Sequence, residues 1–229
     1  MLQLHSFEIP KTPARAKQIF LKAQAPAYIL KASQLGQPYY ISLPTYGYEV
    51  AFGQNGEFVG IRAEISPVML GKDVRYQSVI SEPEEILSFL KYIQKINPQN
   101  FRGVCWFRMP IKADEFNWHI NTLKAVLENR VPVAKVNAEL KTLQEGLCEV
   151  YLVNNGEQNI LTPISFKVNW PKDSSPFYDV LGQYAGRVLS NGNGIEIIGF
   201  APKVGNKILV AWLKFLKITH ADKAAYLSE

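Results

Sequence analysis

The sequence of 229 residues predicts an α/β part over residues 1–132 and an all-β part over residues 133–229. In the first part, strand-like apolar runs alternate with segments of helical spacing, an order typical of α/β folds with a parallel sheet. In the second part, short strand-like runs are separated by Asn-Gly turns, which is typical of a small β-sandwich. The composition, 47% hydrophobic and 20% charged, is that of a protein with a packed core.

The first elements are a short strand and two helices. Residues 1–7 alternate weakly and carry Leu and Phe, which favours a strand. Residues 12–20 and 25–35 have helical apolar spacing. Pro26 suits a first-turn position and Gly36 a helix end, so we expect the second helix to span 25–35.

A β-hairpin follows, inserted at about residues 48–64. Asn55-Gly56 lies between two alternating runs and is a strong hairpin signal. The next segment, residues 81–96, has helical apolar spacing and carries Pro83 where the first turn begins. We therefore expect a helix after the insertion.

The α/β part ends with one more strand and helix. The run FRGVCWFRMP, from residue 101, is apolar and rich in aromatic side chains, so we expect a strand buried on both faces of a parallel sheet. Residues 114–129 place apolar side chains on one helical face. The order up to residue 130 is thus strand, helix, strand with hairpin, helix, strand, helix.

The all-β part contains six predicted strands. Asn-Gly and Gly-Asn turns punctuate them, and the intervals between them show no long segment of helical period. The strand segments are residues 138–143, 148–159, 164–170, 184–190, 194–200 and 207–216.

Composition and motifs exclude several classes of protein. The 25 Lys and Arg against 20 Asp and Glu give a net charge of +5, but the basic residues are scattered, which favours a solvated surface over a nucleic-acid site. The two cysteines, Cys105 and Cys148, lie far apart, and the three histidines are dispersed, so neither a disulfide framework nor a metal site is expected. No nucleotide-binding, serine-hydrolase or zinc-protease motif occurs, and we expect no cofactor. Without a signal peptide or a long apolar run, the chain is expected to be soluble, with no membrane span.

Three segments of the α/β part, LQLHSFEIP, YYISLPTYGYEV and FRGVCWFRMP, occur in an order and spacing that resemble a known family. They are similar to the last three barrel strands of the bacterial domain of unknown function 3142 family, whose barrel is similar to those of glycoside hydrolases. The resemblance covers roughly residues 1–130. It implies a partial TIM-type barrel consisting of the last three strand–helix units, followed by the β-sandwich.

This resemblance implies a longer parent protein. A complete barrel takes about 250 residues, so about five units would lie upstream, together with the acidic strand-four motif of chitinase-like barrels. We therefore expect the chain to be inactive alone, and to self-associate through the exposed edges of its open sheet. The resemblance also implies a carbohydrate ligand and a parent that is exported or associated with the cell envelope.

Candidate ligand-binding residues follow from the rule that barrel sites lie at the carboxyl ends of the strands. Each candidate has a structural alternative: His5 as a hydrogen-bonded structural residue, Trp106 as core, Tyr46 as a strand-end cap, and Arg108 as a partner of Glu49 or Glu64. A catalytic pair of carboxylates within this chain is not favoured. The candidates are His5, Glu8, Tyr46, Tyr48, Glu49, Trp106 and Arg108, with Ser6 and Thr45 beside them.

The all-β part offers four aromatic candidates, Trp170, Tyr178, Tyr184 and Trp212. They form either a platform that stacks on sugar rings or, as is more usual in a sandwich, part of the core. Three hypotheses follow, in this order: an inactive fragment of a glycoside-hydrolase-like barrel protein, a noncatalytic module that binds carbohydrate or protein, and a small enzyme that uses His5, Tyr46 and Arg108.

Overall fold

The computed structural model describes residues 1–6, 10, 12–13, 18–63, 73–111, 113–144, 146–172, 174, 176–215 and 226–228. Within these residues the chain is mostly β, with fourteen strands in four separate sheets, none of them closed, and three helices. It divides into two compact units, Met1–Pro132 and Val133–Glu229. No described helix is both long enough and apolar enough to cross a bilayer.

The first unit is built on a sheet of three parallel strands in the order β1-β2-β6. These strands are β1 (Leu2–Gln3), β2 (Tyr39–Pro44) and β6 (Phe101–Phe107). One face of the sheet packs on the three helices, α1 (Ala25–Gln34), α2 (Pro83–Ile96) and α3 (Ile120–Leu127). The alternate residues Tyr39, Ile41 and Leu43 of β2 enter this core.

A second sheet of the first unit follows β2 directly. It is antiparallel, in the order β4-β3-β5, and consists of β3 (Gly47–Phe52), β4 (Phe58–Arg62) and β5 (Arg75–Ile80). Asn55-Gly56 lies in the turn between β3 and β4, where Gly56 has a φ of 80°. The hairpin is as expected from the sequence, whereas strand β5 was not predicted.

Three expectations for the first unit are wrong in part. Phe20 is in an isolated bridge with His5, so the helix predicted at 12–20 does not reach its predicted end; residues 14–17 lie outside the described part. Ile19 and Phe20 lie in two different hydrophobic cores of the unit. No residue of β6 is buried, because β6 is the edge of its sheet. The last helix begins at Ile120 rather than at residue 114.

The second unit contains two antiparallel sheets, in the orders β10-β13-β8-β7 and β11-β12-β9-β14. Side chains from both sheets share one core, as in a sandwich. Strands β10 and β14 were not predicted; β10 is only four residues long and β14 three. The strands are β7 (Val136–Gln144), β8 (Leu147–Asn154), β9 (Pro163–Asn169), β10 (Phe177–Val180), β11 (Ala185–Val188), β12 (Gly194–Phe200), β13 (Lys207–Lys214) and β14 (Tyr226–Ser228).

Candidate functional site

The carboxyl ends of the three parallel strands bring polar and aromatic side chains together. His5 follows β1, Tyr46 follows β2, and Phe107 and Arg108 lie at the end of β6. Pairing continues beyond β2, because the Thr45 N–H donates to the Phe107 carbonyl at 2.8 Å. The three strand ends are thereby held side by side, as expected for neighbouring parallel strands.

His5 is a buried polar residue at this edge, and both of its ring nitrogens have hydrogen-bond partners. Its Nδ1 lies 3.3 Å from the Tyr46 hydroxyl and 3.4 Å from the Gln3 amide nitrogen, and its Nε2 lies 3.2 Å from Ser42 Oγ. An amide nitrogen only donates, so Nδ1 accepts and Nε2 carries the proton that faces Ser42. Burial lowers the pKa of His5. At neutral pH the ring is therefore an uncharged hydrogen-bonding group.

Three aromatic rings surround this hydrogen-bond network. The rings of His5 and Phe107 stack with centroids 5.0 Å apart, and Tyr46 meets both edge-on, at 5.7 Å from His5 and 5.6 Å from Phe107. Tyr46 is buried, but Phe107 is 48% exposed. Burial raises the pKa of the Tyr46 phenol, neighbouring Tyr48 raises it further, and Arg108 opposes the shift. The site thus presents an exposed aromatic ring above neutral polar groups.

Arg108 brings a positive charge to the site. Its guanidinium carbon lies 5.9 Å from the centre of the Tyr46 ring, and its Nη2 forms an ion pair with Asp114 Oδ2. The other carboxylate oxygen of Asp114 accepts from the Phe116 N–H at 3.0 Å. The guanidinium is therefore fixed on one side by a carboxylate whose own orientation is set by the backbone.

The loop before α3 completes the support of the site. Asn117 forms an isolated bridge with Tyr46, and its Nδ2 donates to the Arg108 carbonyl at 3.3 Å. The Thr45 hydroxyl donates to the same carbonyl. His119 then caps the helix, with Nδ1 accepting from the Asn121 N–H at 3.2 Å. These local hydrogen bonds hold the residues before Ile120 in a loop, which is why the helix begins late.

A second set of contacts fixes the backbone of Tyr46. Ser81 donates to the Tyr46 carbonyl from both its hydroxyl, at 2.7 Å, and its N–H, at 3.2 Å. The Trp118 indole N–H donates to the Ser81 carbonyl at 2.6 Å. The ring of Trp118 lies in the core against the helices, so the site is tied to the hydrophobic core of its unit.

The structure brings together three of the predicted site residues, His5, Tyr46 and Arg108. Trp106 is half-buried on the helix side of the sheet, with its ring 6.2 Å from that of Trp118. Tyr48 lies fully in the core of the antiparallel sheet.

The carboxylate candidates are placed differently. Glu49 pairs with Arg62 and accepts from Ser78 at 3.2 Å, in the antiparallel sheet. Glu8 and Glu64 lie outside the described residues. Two carboxylates of this part of the unit, Glu49 and Asp114, are thus each engaged by an arginine.

Sequence reasoning missed Ser42, Phe107, Asp114 and Asn117. One signal was available: Ser42 is a polar residue between Ile41 and Leu43, and the alternation of a strand places it on the face opposite to the core. Asp114 and Asn117 gave no signal, since both fall in a stretch whose apolar spacing continues the helix that follows.

The spacing of Ser42 Oγ and His5 Nε2 is that of a nucleophile and its general base. However, Ser42 is only 1% exposed, so a substrate does not reach its hydroxyl. We assign Ser42 to hydrogen bonding of the His5 ring. Among the residues that the structure describes, no three His, Cys, Asp or Glu side chains gather as a metal site would require.

The stability of the first unit is expected to fall as pH drops below about 6.5, the usual pKa of histidine. Burial lowers the pKa of His5 in the folded state, so the unfolded state binds the proton more readily and acid favours unfolding. His5→Asn removes this contribution. Urea unfolding at pH 7.5 and 5.5 should show a smaller loss of free energy for the variant than for the wild type; equal losses would contradict the prediction.

A comparison with known families supports part of the sequence analysis. The family model described as Domain of unknown function (DUF3142) matches residues 1–112. No curated protein matches the chain.

Proposed function

Through residues 1–112 the chain belongs to the domain of unknown function 3142 family, and from this premise we propose that its first unit is part of a glycoside-hydrolase-like barrel that binds carbohydrate. The binding group is the strand-end cluster, which we define as His5, Tyr46, Phe107 and Arg108. The observation that carries the proposal is that three parallel strand ends place an exposed phenyl ring over buried, neutral hydrogen-bonding groups. Aromatic stacking combined with polar contacts suits a sugar ring, which has both apolar faces and hydroxyl groups.

The proposed role of this unit is binding rather than bond cleavage. Glycoside hydrolysis usually requires two carboxylates, one as acid and one as base or nucleophile. Asp114 and Glu49 are each held in an ion pair with arginine, which leaves neither positioned as such a group. We therefore propose that the chain alone does not hydrolyse glycosides, and that the acids of a complete site come from elsewhere. Turnover of an aryl glycoside by the purified chain would overturn this part.

Replacing Phe107 by alanine is expected to weaken oligosaccharide binding by roughly 2- to 13-fold, because a stacked aromatic contact contributes about 0.5–1.5 kcal/mol. The probes are β-1,4-linked hexaoses of glucose, xylose and N-acetylglucosamine, titrated calorimetrically into the full chain. Phe58→Ala is the matched control, since Phe58 is a 37% exposed phenylalanine in β4. No binding by the wild type, or an equal loss in both variants, would contradict the proposal.

A second candidate function, a noncatalytic carbohydrate-binding module, is favoured by Trp212 in the second unit. Trp212 is half-buried, and its cross-strand partners are Glu149 on β8 and Asp179 on β10, so an indole lies between two hydrogen-bond acceptors. The other aromatic candidates are less suited: Trp170 and Tyr184 are buried in the core, and Tyr178 lies against Trp170. If Trp212→Ala, rather than Phe107→Ala, abolishes binding of the same hexaoses, the second candidate is the correct one.

The edges of the parallel sheet support the barrel proposal and predict self-association. In the described part of the chain β6 pairs with β2 alone, so one of its sides is an open edge. The edge that continues from β1 is partly covered, because the Ser6 N–H donates to the Ile19 carbonyl at 3.0 Å and the Leu21 N–H donates to the Leu4 carbonyl at 2.9 Å. We expect the purified chain to form dimers or larger species, because such edges pair with other strands. Light scattering coupled to size exclusion measures the mass, and a monomer that persists over a tenfold range of concentration would contradict this expectation.

A further inference from the structure

The chain contains four Asn-Gly pairs, and all four lie among the described residues. They are Asn55-Gly56, Asn155-Gly156, Asn191-Gly192 and Asn193-Gly194. The pairs are chemically alike, because glycine has no side chain to shield its backbone nitrogen from the carboxamide of the preceding asparagine. Differences in reactivity between them must therefore come from the fold.

Two pairs, which we call the exposed pairs, lie in turns at the surface. Asn55 is exposed in the turn between β3 and β4, and the Gly56 N–H donates to a carbonyl three residues earlier, at 2.9 Å. Asn191 and Gly192 are both exposed between β11 and β12, and the Gly192 N–H again donates to a carbonyl three residues earlier, at 2.9 Å. Hydrogen bonds within a single exposed turn open readily, so both glycine nitrogens become accessible.

The other two pairs, which we call the packed pairs, have buried glycines. In the first of them the Gly156 N–H donates to Oδ1 of Asn154, a side chain that is fully buried. A Cβ at Gly156 would lie 2.4 Å from the Lys135 nitrogen and 2.7 Å from the Val133 carbonyl oxygen. The backbone after Asn155 is therefore packed against another segment of the same unit and cannot rearrange without displacing it.

The second packed pair is held by strand pairing. Gly194 is the buried first residue of β12, which lies between β11 and β9. A Cβ at Gly194 would lie 2.6 Å from the Val168 carbonyl oxygen, and the Asn193 carbonyl accepts from the Trp170 N–H at 2.9 Å. Moving the Gly194 nitrogen would break contacts in the middle of a sheet, which open far less often than a turn.

We propose that Asn55 and Asn191 are sites of spontaneous deamidation, and that the fold protects Asn155 and Asn193. The backbone nitrogen of the following glycine loses its proton to hydroxide and attacks Cγ of the asparagine. A C–N bond forms, the carboxamide nitrogen takes a proton from water and leaves as ammonia, and a five-membered succinimide remains. Water then adds to one of the two ring carbonyls and opens the ring to aspartate or isoaspartate, with no change of oxidation state.

The reaction changes both the charge and the backbone of each turn. A neutral carboxamide becomes a carboxylate, which is ionised at neutral pH, so each event lowers the net charge of +5 by one. Isoaspartate also adds one methylene group to the main chain. At Asn55 that methylene lies in the turn that joins β3 to β4, where the turn geometry fixes how the two strands pair.

The first experiment measures the four sites in one sample. The full chain is incubated at pH 8 and 37 °C, digested at acidic pH, and the asparagine and carboxylate forms of each peptide are counted by mass spectrometry. We expect Asn55 and Asn191 each to react at least ~10-fold faster than Asn155 and Asn193, because opening a turn costs less than opening a packed backbone. Reaction at either packed pair within about threefold of an exposed pair would overturn the proposal.

Incubation in concentrated urea is the control for the fold. There the four pairs lose their different surroundings, so their rates should lie within about threefold of one another. A difference in urea as large as that in the folded chain would show that the neighbouring residues, rather than the fold, decide the reactivity, and would overturn the proposal.

Glutamine variants confirm the sites by charge. Neither Asn55 nor Asn191 has a positive φ, so glutamine fits both turns, and the longer side chain cyclises far more slowly. On cation exchange the aged wild type should give two successive species of lower positive charge. Asn55→Gln and Asn191→Gln should each give one, and the double variant none in the same time. Acidic species that form as fast in the double variant as in the wild type would overturn the assignment.

Discussion

Replacing Trp118 by alanine is expected to destabilise the first unit by about 3–5 kcal/mol, the usual cost of removing a large buried aromatic side chain. Trp118 is 5% exposed and lies in the helix-side core. Its indole N–H also donates to the Ser81 carbonyl, which the variant leaves without that donor. Because Ser81 holds the Tyr46 carbonyl, the loss should spread to the strand-end cluster.

Hydrogen exchange of peptides from residues 1–132 and 133–229 measures this effect separately in the two units. Two phenylalanine variants isolate the hydrogen bond. Trp118→Phe and Trp170→Phe remove the same volume from buried positions, but Trp170 Nε1 has no hydrogen-bond partner among the described residues. We expect Trp118→Phe to cost about 1 kcal/mol more than Trp170→Phe. Equal losses of stability in the two variants would show that the hydrogen bond from Trp118 to Ser81 contributes nothing to the free energy of unfolding.

Local signals in the sequence were sufficient to predict several elements of the fold. Pro83 and the acidic residues Glu84 and Glu85 mark the first turn of α2, which begins as expected. Asn55-Gly56 marks the turn between β3 and β4. The juxtaposition of His5 and Tyr46 also follows from a general rule, because neighbouring parallel strands end at the same edge of a sheet.

Other features depend on contacts that are distant in sequence. Strand β5 begins with Arg75, Tyr76 and Gln77, which carry no apolar alternation, and it is defined by pairing with β3. Asp114 lies within a stretch of helical spacing, but its hydrogen bond to Phe116 and its pair with Arg108 keep that stretch in a loop. The pairing of β5 with β3 and the ion pair of Asp114 with Arg108 cannot be predicted from the sequence without knowing which elements are neighbours in the fold.

The same reasoning explains why the sequence does not decide which aromatic side chains of the all-β part are buried. Trp170 and Trp212 both lie in or next to strand-like runs, and composition does not distinguish the two faces of a sandwich. The structure places Trp170 in the core and Trp212 on a half-buried face. A shift of one residue in strand register would reverse these positions.

Gly47 is expected to be the glycine at which a single methyl group most disturbs the strand-end cluster. It follows Tyr46, and a Cβ there would lie 2.7 Å from the Val79 carbonyl oxygen and 3.0 Å from the Phe116 carbonyl oxygen. Both are backbone atoms, fixed by the pairing of β3 with β5 and by the loop before α3. Gly47→Ala should therefore destabilise the first unit by about 1–3 kcal/mol, as overpacking usually does.

Gly53→Ala, at the residue that follows β3, is the matched control for Gly47→Ala. The three atoms nearest to a Cβ at Gly53 all belong to the side chain of Glu57, whose end can rotate away, so the cost should stay within about 0.5 kcal/mol of the wild type. Urea unfolding gives both free energies. Hydrogen exchange at the Trp118 N–H, which donates to the Thr45 carbonyl, then reports whether the loop has moved from Tyr46. Faster exchange in Gly47→Ala alone would show that the close backbone approach at this glycine holds the strand-end cluster together. Equal free energies of unfolding for Gly47→Ala and Gly53→Ala would show instead that the backbone shifts to accommodate the methyl group.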